Sequence, residues 1–297
     1  MAHATANGIQ IEYETFGTPA ASPLLLVMGL GAQLTAWDPE FCGQLADRGH
    51  YVVRFDNRDV GLSTKFESGG APNMAEVFAA RQRGEKVEAP YNLSDMSDDA
   101  FGLMTALGMD RAHIVGASMG GMIVQTMAIE HPERVLTMTS IMSTTGAPDL
   151  PPSTPEAAAA LVTPAPSDRA GFIEHRVKSS GITGSLPHMR DEARIRATAA
   201  ESFDRCFYPV GIARHLAAVA ASGSRREALA AVRVPTLVVH GEIDPLVPLS
   251  GGEDTHKSIA GSELLVVKDM GHDLPKVVWP QVVGAIVKHT GRVAAGV

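Results

Sequence analysis

Short apolar runs alternate with stretches of helical pattern along most of this chain, and this alternation limits the folds open to it. Buried strands are predicted over 23–28, 51–56, 112–116, 135–142, 236–241 and 263–267, and helices over 37–47, 95–107, 119–130 and 280–289. Continuous apolar runs are typical of parallel strands buried on both faces, and their alternation with helices indicates a sheet covered on both sides. Asn7-Gly8 predicts a hairpin before 9–16, which indicates an antiparallel pair at one edge.

Two segments interrupt this alternation. Residues 64–94 form a polar, glycine-containing excursion between a strand and a helix. Between 148 and 166 six prolines exclude one regular helix, although a helical pattern returns over 191–203. We interpret 146–215 as a mainly helical cap inserted into a core formed by 1–145 and 216–297, with 64–94 at its rim. A disordered linker is the alternative for the inserted segment.

Charge and composition limit the partners of the chain. It carries 33 acidic and 25 basic side chains, and no basic cluster is interleaved with aromatic residues, so nucleic acid is not an expected partner. No apolar run approaches membrane-spanning length and no signal peptide is visible, so a cytoplasmic location away from membranes is expected. Cys42 and Cys206 lack metal or redox spacing and are interpreted as reduced thiols, with a disulfide left open. A homodimer is one of the oligomeric states that the sequence allows.

The pentapeptide 116–120 has the form Gly-x-Ser-x-Gly and lies between a predicted strand and a predicted helix. This is the context of a nucleophile elbow, in which a sharp turn exposes the serine hydroxyl at a helix N-terminus. Small residues in the pentapeptide let the strand and the helix approach closely. We therefore interpret Ser118 as a catalytic nucleophile; the alternative is an ordinary turn that contains a serine.

A nucleophilic serine needs a base that accepts its proton and an acid that orients the base. Asp244 and His272 each follow a predicted strand, which places both at the sheet end where open α/β sheets bind ligands. The chain order Ser, Asp, His is the one that accompanies nucleophile elbows. Weaker candidates for the acid lie on the same two loops: Glu242, Asp269 and Asp273. Three other histidines are interpreted as structural: His113, His131 and His240.

Acyl transfer also requires backbone donors for the developing oxyanion. Met119, directly after the nucleophile, is predicted to supply one N–H group, and Leu30 the other, with Gly29 as the alternative to Leu30. Met28, Gly29 and Met122 are predicted to line an apolar substrate pocket, although core packing accounts equally well for Met122. The polar loop 56–63 is interpreted as satisfying buried backbone groups beside the site. No spacing of histidines and carboxylates indicates a metal site, and no cofactor is expected.

With these residues in place, the chain resembles the α/β-hydrolase superfamily over nearly its full length. The matching landmarks are 25–31, 55–63, 116–120, 131–135, 241–245 and 271–272. In segments 24–29, 111–113 and 270–272 it is similar to the esterase branch that contains aclacinomycin methylesterase. The resemblance implies a mostly parallel eight-stranded sheet flanked by helices, with an inserted mainly helical cap. It also implies a carboxylesterase with Ser118, Asp244 and His272 as triad, but no particular substrate.

The expected activity is hydrolysis of a small to medium hydrophobic ester through a covalent acyl-enzyme. Cofactor-free perhydrolysis of the haloperoxidase type, lactone hydrolysis and carbon–carbon bond hydrolysis would use the same residues and stay open. A ligand-binding receptor of the same fold is the non-enzymatic alternative. Serine rather than aspartate at 118 disfavours epoxide hydrolysis and haloalkane dehalogenation, which proceed through an aspartyl ester.

Overall fold

A single eight-stranded sheet organises residues 2–293, which the computed structural model describes. The strands are β1 (Ala2–Ala6), β2 (Ile9–Phe16), β3 (Ser22–Val27), β4 (His50–Phe55), β5 (Ala112–Ala117), β6 (Val135–Ile141), β7 (Thr236–Gly241) and β8 (Glu263–Val267). Their order across the sheet is β1-β2-β4-β3-β5-β6-β7-β8. β1 and β2 pair in antiparallel fashion, β2 is antiparallel to β4, and the six strands from β3 to β8 run parallel to one another. The predicted mostly parallel, eight-stranded α/β-hydrolase sheet is therefore confirmed.

The predicted hairpin opens the chain. Asn7 and Gly8 connect β1 to β2 with φ angles of 47° and 76°, and the residues on either side of them, Ala6 and Ile9, form the last pair of the ladder. Positive φ at both turn positions is the geometry of a type I′ turn, whose twist matches that of the two strands. The antiparallel pair lies at one edge of the sheet, as the sequence predicts.

The helices alternate with the strands along the chain and flank the sheet. They are α1 (Pro39–Ala46), α2 (Met74–Gln82), α3 (Leu93–Ala106), α4 (Met119–Glu130), α5 (Pro155–Val162), α6 (Arg169–Thr183), α7 (Glu192–Arg205), α8 (Pro209–Ser222), α9 (Arg226–Leu229), α10 (Leu249–Ser258) and α11 (Trp279–Thr290). The helix predicted over 119–130 coincides with α4, and those predicted over 37–47, 95–107, 191–203 and 280–289 differ from α1, α3, α7 and α11 by one or two residues at either end. Among residues 2–293, no helix is long and apolar enough to cross a bilayer.

Two hydrophobic clusters cover the two faces of the sheet. Leu25 and Val27 of β3 point into the cluster that includes α3 and α4, whereas Leu24 and Leu26 point into the one that includes α1 and α11. Successive side chains of a strand alternate between faces, so a run of apolar residues is buried on both sides. The carboxyl ends of β3, β5, β7 and β8 thereby lie at the same edge of the sheet, with β6 between β5 and β7.

Helices α5 to α8 form an insertion between β6 and β7, which we call the helical insertion (155–222). The segment predicted as a cap, 146–215, overlaps it, but its predicted end at 215 falls inside α8, which runs to Ser222. The polar excursion 64–94 contains α2, whose Val77 and Ala80 pack with Ala217 of α8. The excursion therefore lies against the last helix of the insertion.

Candidate active site

Ser118 lies on the sharp turn that the pentapeptide predicts. β5 ends one residue before it and α4 begins one residue after it. Its φ and ψ angles are 57° and −120°, a strained combination for a residue with a side chain, of the kind that persists where the surroundings enforce it. The Ser118 N–H donates to the Ile141 carbonyl of β6 at 2.9 Å. The turn is thus anchored to the neighbouring strand through its backbone.

The two glycines of the pentapeptide are required by close approach. A Cβ atom on Gly116 would collide with the backbone of Gly120, and one on Gly120 would collide with the Val27 carbonyl of β3. Strand β5, helix α4 and strand β3 therefore meet at this turn without room for a further carbon atom. This packing explains why small residues flank the nucleophile.

The three predicted triad residues form one chain of hydrogen bonds. The Ser118 Oγ atom is 2.9 Å from His272 Nε2, and His272 Nδ1 is 2.7 Å from Asp244 Oδ2. The other Asp244 oxygen accepts the N–H groups of Leu246 and Val247, both at 2.9 Å. A carboxylate that accepts three donors holds the imidazole with its proton on Nδ1, so the Nε2 lone pair faces the serine hydroxyl.

Buried His240 contacts the loop that carries Asp244. Its Nε2 atom lies 2.8 Å from the Val247 carbonyl and 3.8 Å from Asp244 Oδ2. Because a carbonyl can only accept, Nε2 carries the proton, and burial lowers the pKa of this ring, which keeps it neutral. The structural role that the sequence predicts for His240 fits this arrangement.

The alternative carboxylates have other partners. Glu242 is exposed and accepts the Asp269 N–H at 3.3 Å. Asp273 accepts the Ser185 N–H at 3.0 Å and also the Ser185 hydroxyl, and burial raises the pKa of its carboxyl. Asp244 is the one that contacts the imidazole.

Of the two predicted oxyanion donors, Met119 directly follows Ser118, and Leu30 lies on a loop that passes close to it. The first bond of α4 runs from the Met122 N–H to the Ser118 carbonyl at 3.2 Å, so the N–H of Met119 precedes the helical ladder and has no acceptor within it. On the loop after β3, a Cβ atom on Gly29 would lie 3.0 Å from Ser118 Cβ and 3.5 Å from Ser118 Oγ. Leu30 follows on the same loop and is half-buried.

The two methionines of the predicted pocket pack into the core. Met28 is 9% exposed and belongs to the cluster on the α1 and α11 side of the sheet. Met122 is half-buried against the opposite cluster. Gly29 is therefore the predicted pocket residue that lies beside Ser118. A lining role for Met28, Gly29 and Met122 stays a prediction.

The polar loop after β4 has the supporting role that its sequence predicts. Asp56 accepts the Leu34 N–H at 2.7 Å, and Arg58 donates to both oxygens of Asp99 at 2.6 and 2.7 Å and to the Asp95 carbonyl. Asp56 thereby connects the loop after β4 to the segment that follows β3, and Arg58 connects the same loop to α3. Cys42 and Cys206 are both free thiols, the first buried and the second half-buried.

The sequence pattern does not predict the contacts that the helical insertion makes with the loop that carries His272. The His272 N–H donates to the Thr183 carbonyl at the end of α6 at 2.7 Å, and the Gly271 N–H donates to Ser185 Oγ at 3.0 Å. The partners are 86 or more positions apart in the chain. The sequence shows Gly271 and Asp273 on either side of His272, but no local sequence pattern indicates what they contact.

Within residues 2–293, no group of three or more histidine, cysteine, aspartate or glutamate side chains is arranged to hold a metal ion. What the site offers is a serine hydroxyl, an imidazole, a carboxylate and a helix N-terminus, all at the carboxyl end of a parallel sheet. This combination is the one that α/β hydrolases use for acyl transfer.

The fold agrees with the outcome of comparison with known proteins. Residues 22–276 match the alpha/beta hydrolase fold family. The chain therefore belongs to that family and is a hydrolase.

Individual relatives are similar over almost the whole chain. Rhodomycin D methylesterase DauP from Streptomyces sp. (strain C5) is 28% identical over 96% of each chain. The 2-hydroxymuconate semialdehyde hydrolase of Pseudomonas sp. (strain CF600) is 27% identical over 98% of this chain and 89% of its own. In fold, the chain is similar to the meta-cleavage product hydrolase CumD from Pseudomonas fluorescens IP01, with a TM-score of 0.77 at 20% identity over 98% of each chain.

Proposed function

We propose that this α/β hydrolase is a carboxylic ester hydrolase that works through Ser118, His272 and Asp244 and a covalent acyl-enzyme. The observation that carries the proposal is the unbroken chain of hydrogen bonds from the Ser118 hydroxyl through the His272 ring to the Asp244 carboxylate. Methylesterase relatives at 27–28% identity over 96% of the chain support ester hydrolysis over other acyl transfers. The expected substrate is a small to medium hydrophobic ester.

The reaction has two halves that use the same base. In the first, His272 Nε2 takes the Ser118 proton while Oγ attacks the ester carbonyl, and the imidazolium then protonates the departing alcohol. In the second, water attacks the acyl-enzyme, gives its proton to His272, and the carboxylic acid leaves as Ser118 regains its proton. Asp244 orients the ring and stabilises its positive charge in both halves. One ester and one water yield one acid and one alcohol.

The N–H groups of Leu30 and Met119 are the proposed donors to the oxyanion of each tetrahedral intermediate. Negative charge develops on the former carbonyl oxygen as the Ser118 attack proceeds, next to the N-terminus of α4. The aligned peptide dipoles of this helix favour an anion there. Loss of one such donor typically lowers the rate roughly 10²–10³-fold.

A Ser118→Ala variant tests the proposal. We expect it to lose p-nitrophenyl ester turnover, because no hydroxyl is left to form the acyl-enzyme. Ser94→Ala is the matched control, since Ser94 lies on α3 and its hydroxyl bonds to exposed Glu130. Steady turnover of many equivalents by the native protein would also exclude a receptor, which would release at most one equivalent. Substantial activity in Ser118→Ala would refute the assignment.

Hydrolysis of 2-hydroxymuconate semialdehyde is the second candidate activity. It is favoured by similarity to a hydrolase of that compound across 98% of this chain. A panel of esters of increasing acyl length, run beside 2-hydroxymuconate semialdehyde and a lactone, distinguishes the candidates. Higher kcat/KM for the semialdehyde than for every ester would reverse our order of preference.

A further inference from the structure

The peptide group between Gly29 and Leu30 carries one of the two proposed oxyanion donors, the Leu30 N–H. Its carbonyl oxygen, on Gly29, accepts the Ala32 N–H at 3.3 Å. The preceding peptide is held as well, because Asn57 Nδ2 donates to the Met28 carbonyl at 2.8 Å. The turn over 29–32 and, on its N-terminal side, the buried Asn57 side chain therefore restrict this loop.

The peptide that follows is held by His215, a residue of the helical insertion. The Gly31 N–H donates to His215 Nδ1 at 3.1 Å, across 184 positions of sequence. The other ring nitrogen, Nε2, lies 2.7 Å from the Arg58 carbonyl. Since an N–H group only donates and a carbonyl only accepts, the ring has its proton on Nε2 and its lone pair on Nδ1. A doubly protonated ring would place two N–H groups against each other at Gly31.

Helix α8 also covers this loop by packing. Gly31 has φ of 64°, and a Cβ atom on it would lie 2.6 Å from Ile212 Cγ1. Ile212 and His215 are three positions apart on α8 and share one face of that helix. The same face thus supplies a van der Waals contact and a hydrogen-bond acceptor to one glycine.

The surroundings of the His215 ring keep it neutral. The ring is fully buried, and burial lowers its pKa to about 4. Charged and titratable groups from two other segments and from α8 itself face the ring: Arg58, Asp59, Tyr91 and Arg214. Asp59 raises the pKa and the two arginines lower it, but the Arg58 carbonyl and the Gly31 N–H demand the neutral form in any case.

We propose that His215 is a positioning residue for ester hydrolysis, which fixes the Leu30–Gly31 peptide and thereby directs the Leu30 N–H at the oxyanion. This inference rests on the proposed esterase function. A donor that loses its support is misaligned rather than deleted, so we expect kcat to fall roughly 10–100-fold. KM should change little, because the donor matters most once negative charge has formed.

Two substitutions of His215 separate its two hydrogen bonds. In His215→Asn the side-chain oxygen can take the place of Nδ1 and accept the Gly31 N–H. In His215→Gln the amide can reach the Arg58 carbonyl but offers no acceptor at the position of Nδ1. The control is His289→Gln, since His289 is a buried histidine whose Nε2 contacts the carbonyl of Pro235, just before the first residue of β7 and at the opposite end of the sheet.

The decisive measurements are kcat, KM and affinity for a trifluoromethyl ketone, whose adduct with Ser118 carries an oxyanion. We expect His215→Gln to lose kcat and ketone affinity in parallel, His215→Asn to retain most of both, and His289→Gln to retain both. Equal losses in the two His215 variants, or native values in His215→Gln, would overturn the proposal. If native protein shows no Ser118-dependent ester turnover, the proposed function fails as well.

A second measurement does not depend on how the variants fold. Nitrogen-15 NMR of the native protein should report His215 as the neutral ring with its proton on Nε2. A proton on Nδ1, or on both nitrogens at neutral pH, would contradict the geometry on which the proposal depends.

Discussion

Both carboxylate oxygens of Asp244 accept hydrogen bonds, and these bonds determine how an amide at the same position would be oriented. One oxygen accepts the Leu246 and Val247 N–H groups, and the other faces His272 Nδ1. In Asp244→Asn the amide oxygen satisfies the two backbone donors, so the amide nitrogen faces the ring. The ring must then carry its proton on Nε2 and cannot accept one from Ser118. We expect kcat to fall roughly 10³–10⁴-fold.

Ester hydrolysis and circular dichroism check this prediction together, since the variant should keep the native fold. Glu242→Gln is the matched control, because Glu242 is on the same loop but is exposed and bonds to the Asp269 N–H. A similar loss of kcat in Glu242→Gln, or native activity in Asp244→Asn, would contradict the role given to Asp244.

Loop position and chain order were sufficient to predict that Ser118, Asp244 and His272 come together, because the ends of parallel strands meet at one edge of a sheet. The same reasoning could not find His215 or Ser185. Their partners, Gly31 and Gly271, are backbone groups more than 80 positions away, and no local pattern specifies a contact between a side chain and a distant N–H group.

Elements with strong periodic signals were predicted well, and the helical insertion less so. β5 is buried along its whole length and α4 follows it directly, so the apolar pattern of the sequence predicts both elements. Helices α6 and α7 present only Ala199 as a fully buried residue, which leaves them with little apolar pattern. The predicted end of the cap at 215 falls inside α8, which continues without a break to Ser222.

The end of α6 holds the histidine loop. Thr183 accepts the His272 N–H at 2.7 Å, and Ser185 accepts the Gly271 N–H while donating to Asp273. In Ser185→Ala this loop loses one of its supports, and the Asp273 carboxylate loses a donor, so the raised pKa of Asp273 should rise further. We expect kcat to fall roughly tenfold, because small displacements of a catalytic group are costly.

Steady-state kinetics over a range of pH test this effect. Ser179→Ala on the same helix is the control, since the bond that Ser179 makes to Thr183 uses its backbone carbonyl. Rescue by Ser185→Thr, which keeps the hydroxyl, would support positioning. Unchanged kcat and pH profile in Ser185→Ala would show that the α6 contact does not position His272.

The helical insertion and the sheet core are joined by buried charges as well as by these hydrogen bonds. Arg214 of α8 contacts Asp59 at 2.8 Å, and Arg205 of α7 contacts Asp56 at 2.7 Å. Both aspartates lie on the loop after β4, and Asp56 also holds the Leu34 N–H. A buried charge left without its partner is strongly destabilising. The insertion is therefore connected through one loop to the segment that carries the proposed oxyanion donor, Leu30.

Buried histidines also link the stability of the whole molecule to pH. His113 of β5 contacts Thr137 at 2.9 Å and Ser22 at 3.1 Å. Burial, aided by His50, His289 and Arg111, lowers its pKa from 6.5 to about 4. Between these values the unfolded chain binds a proton here that the folded chain does not. The contribution of His113 to stability is therefore complete above pH 6.5 and is lost as the pH falls towards about 4.

In His113→Gln this titration is absent, so the free energy of unfolding should depend less on pH. We expect its slope between pH 6.5 and about 4 to be shallower than that of the native protein by about 1.4 kcal/mol per pH unit. Asp99 and Asp273, whose pKa values are raised by burial, contribute in the opposite direction, but they are present in both proteins and cancel in the difference. Urea unfolding at several pH values measures both slopes. Parallel curves for the two proteins would mean that His113 titrates alike in the folded and unfolded chain.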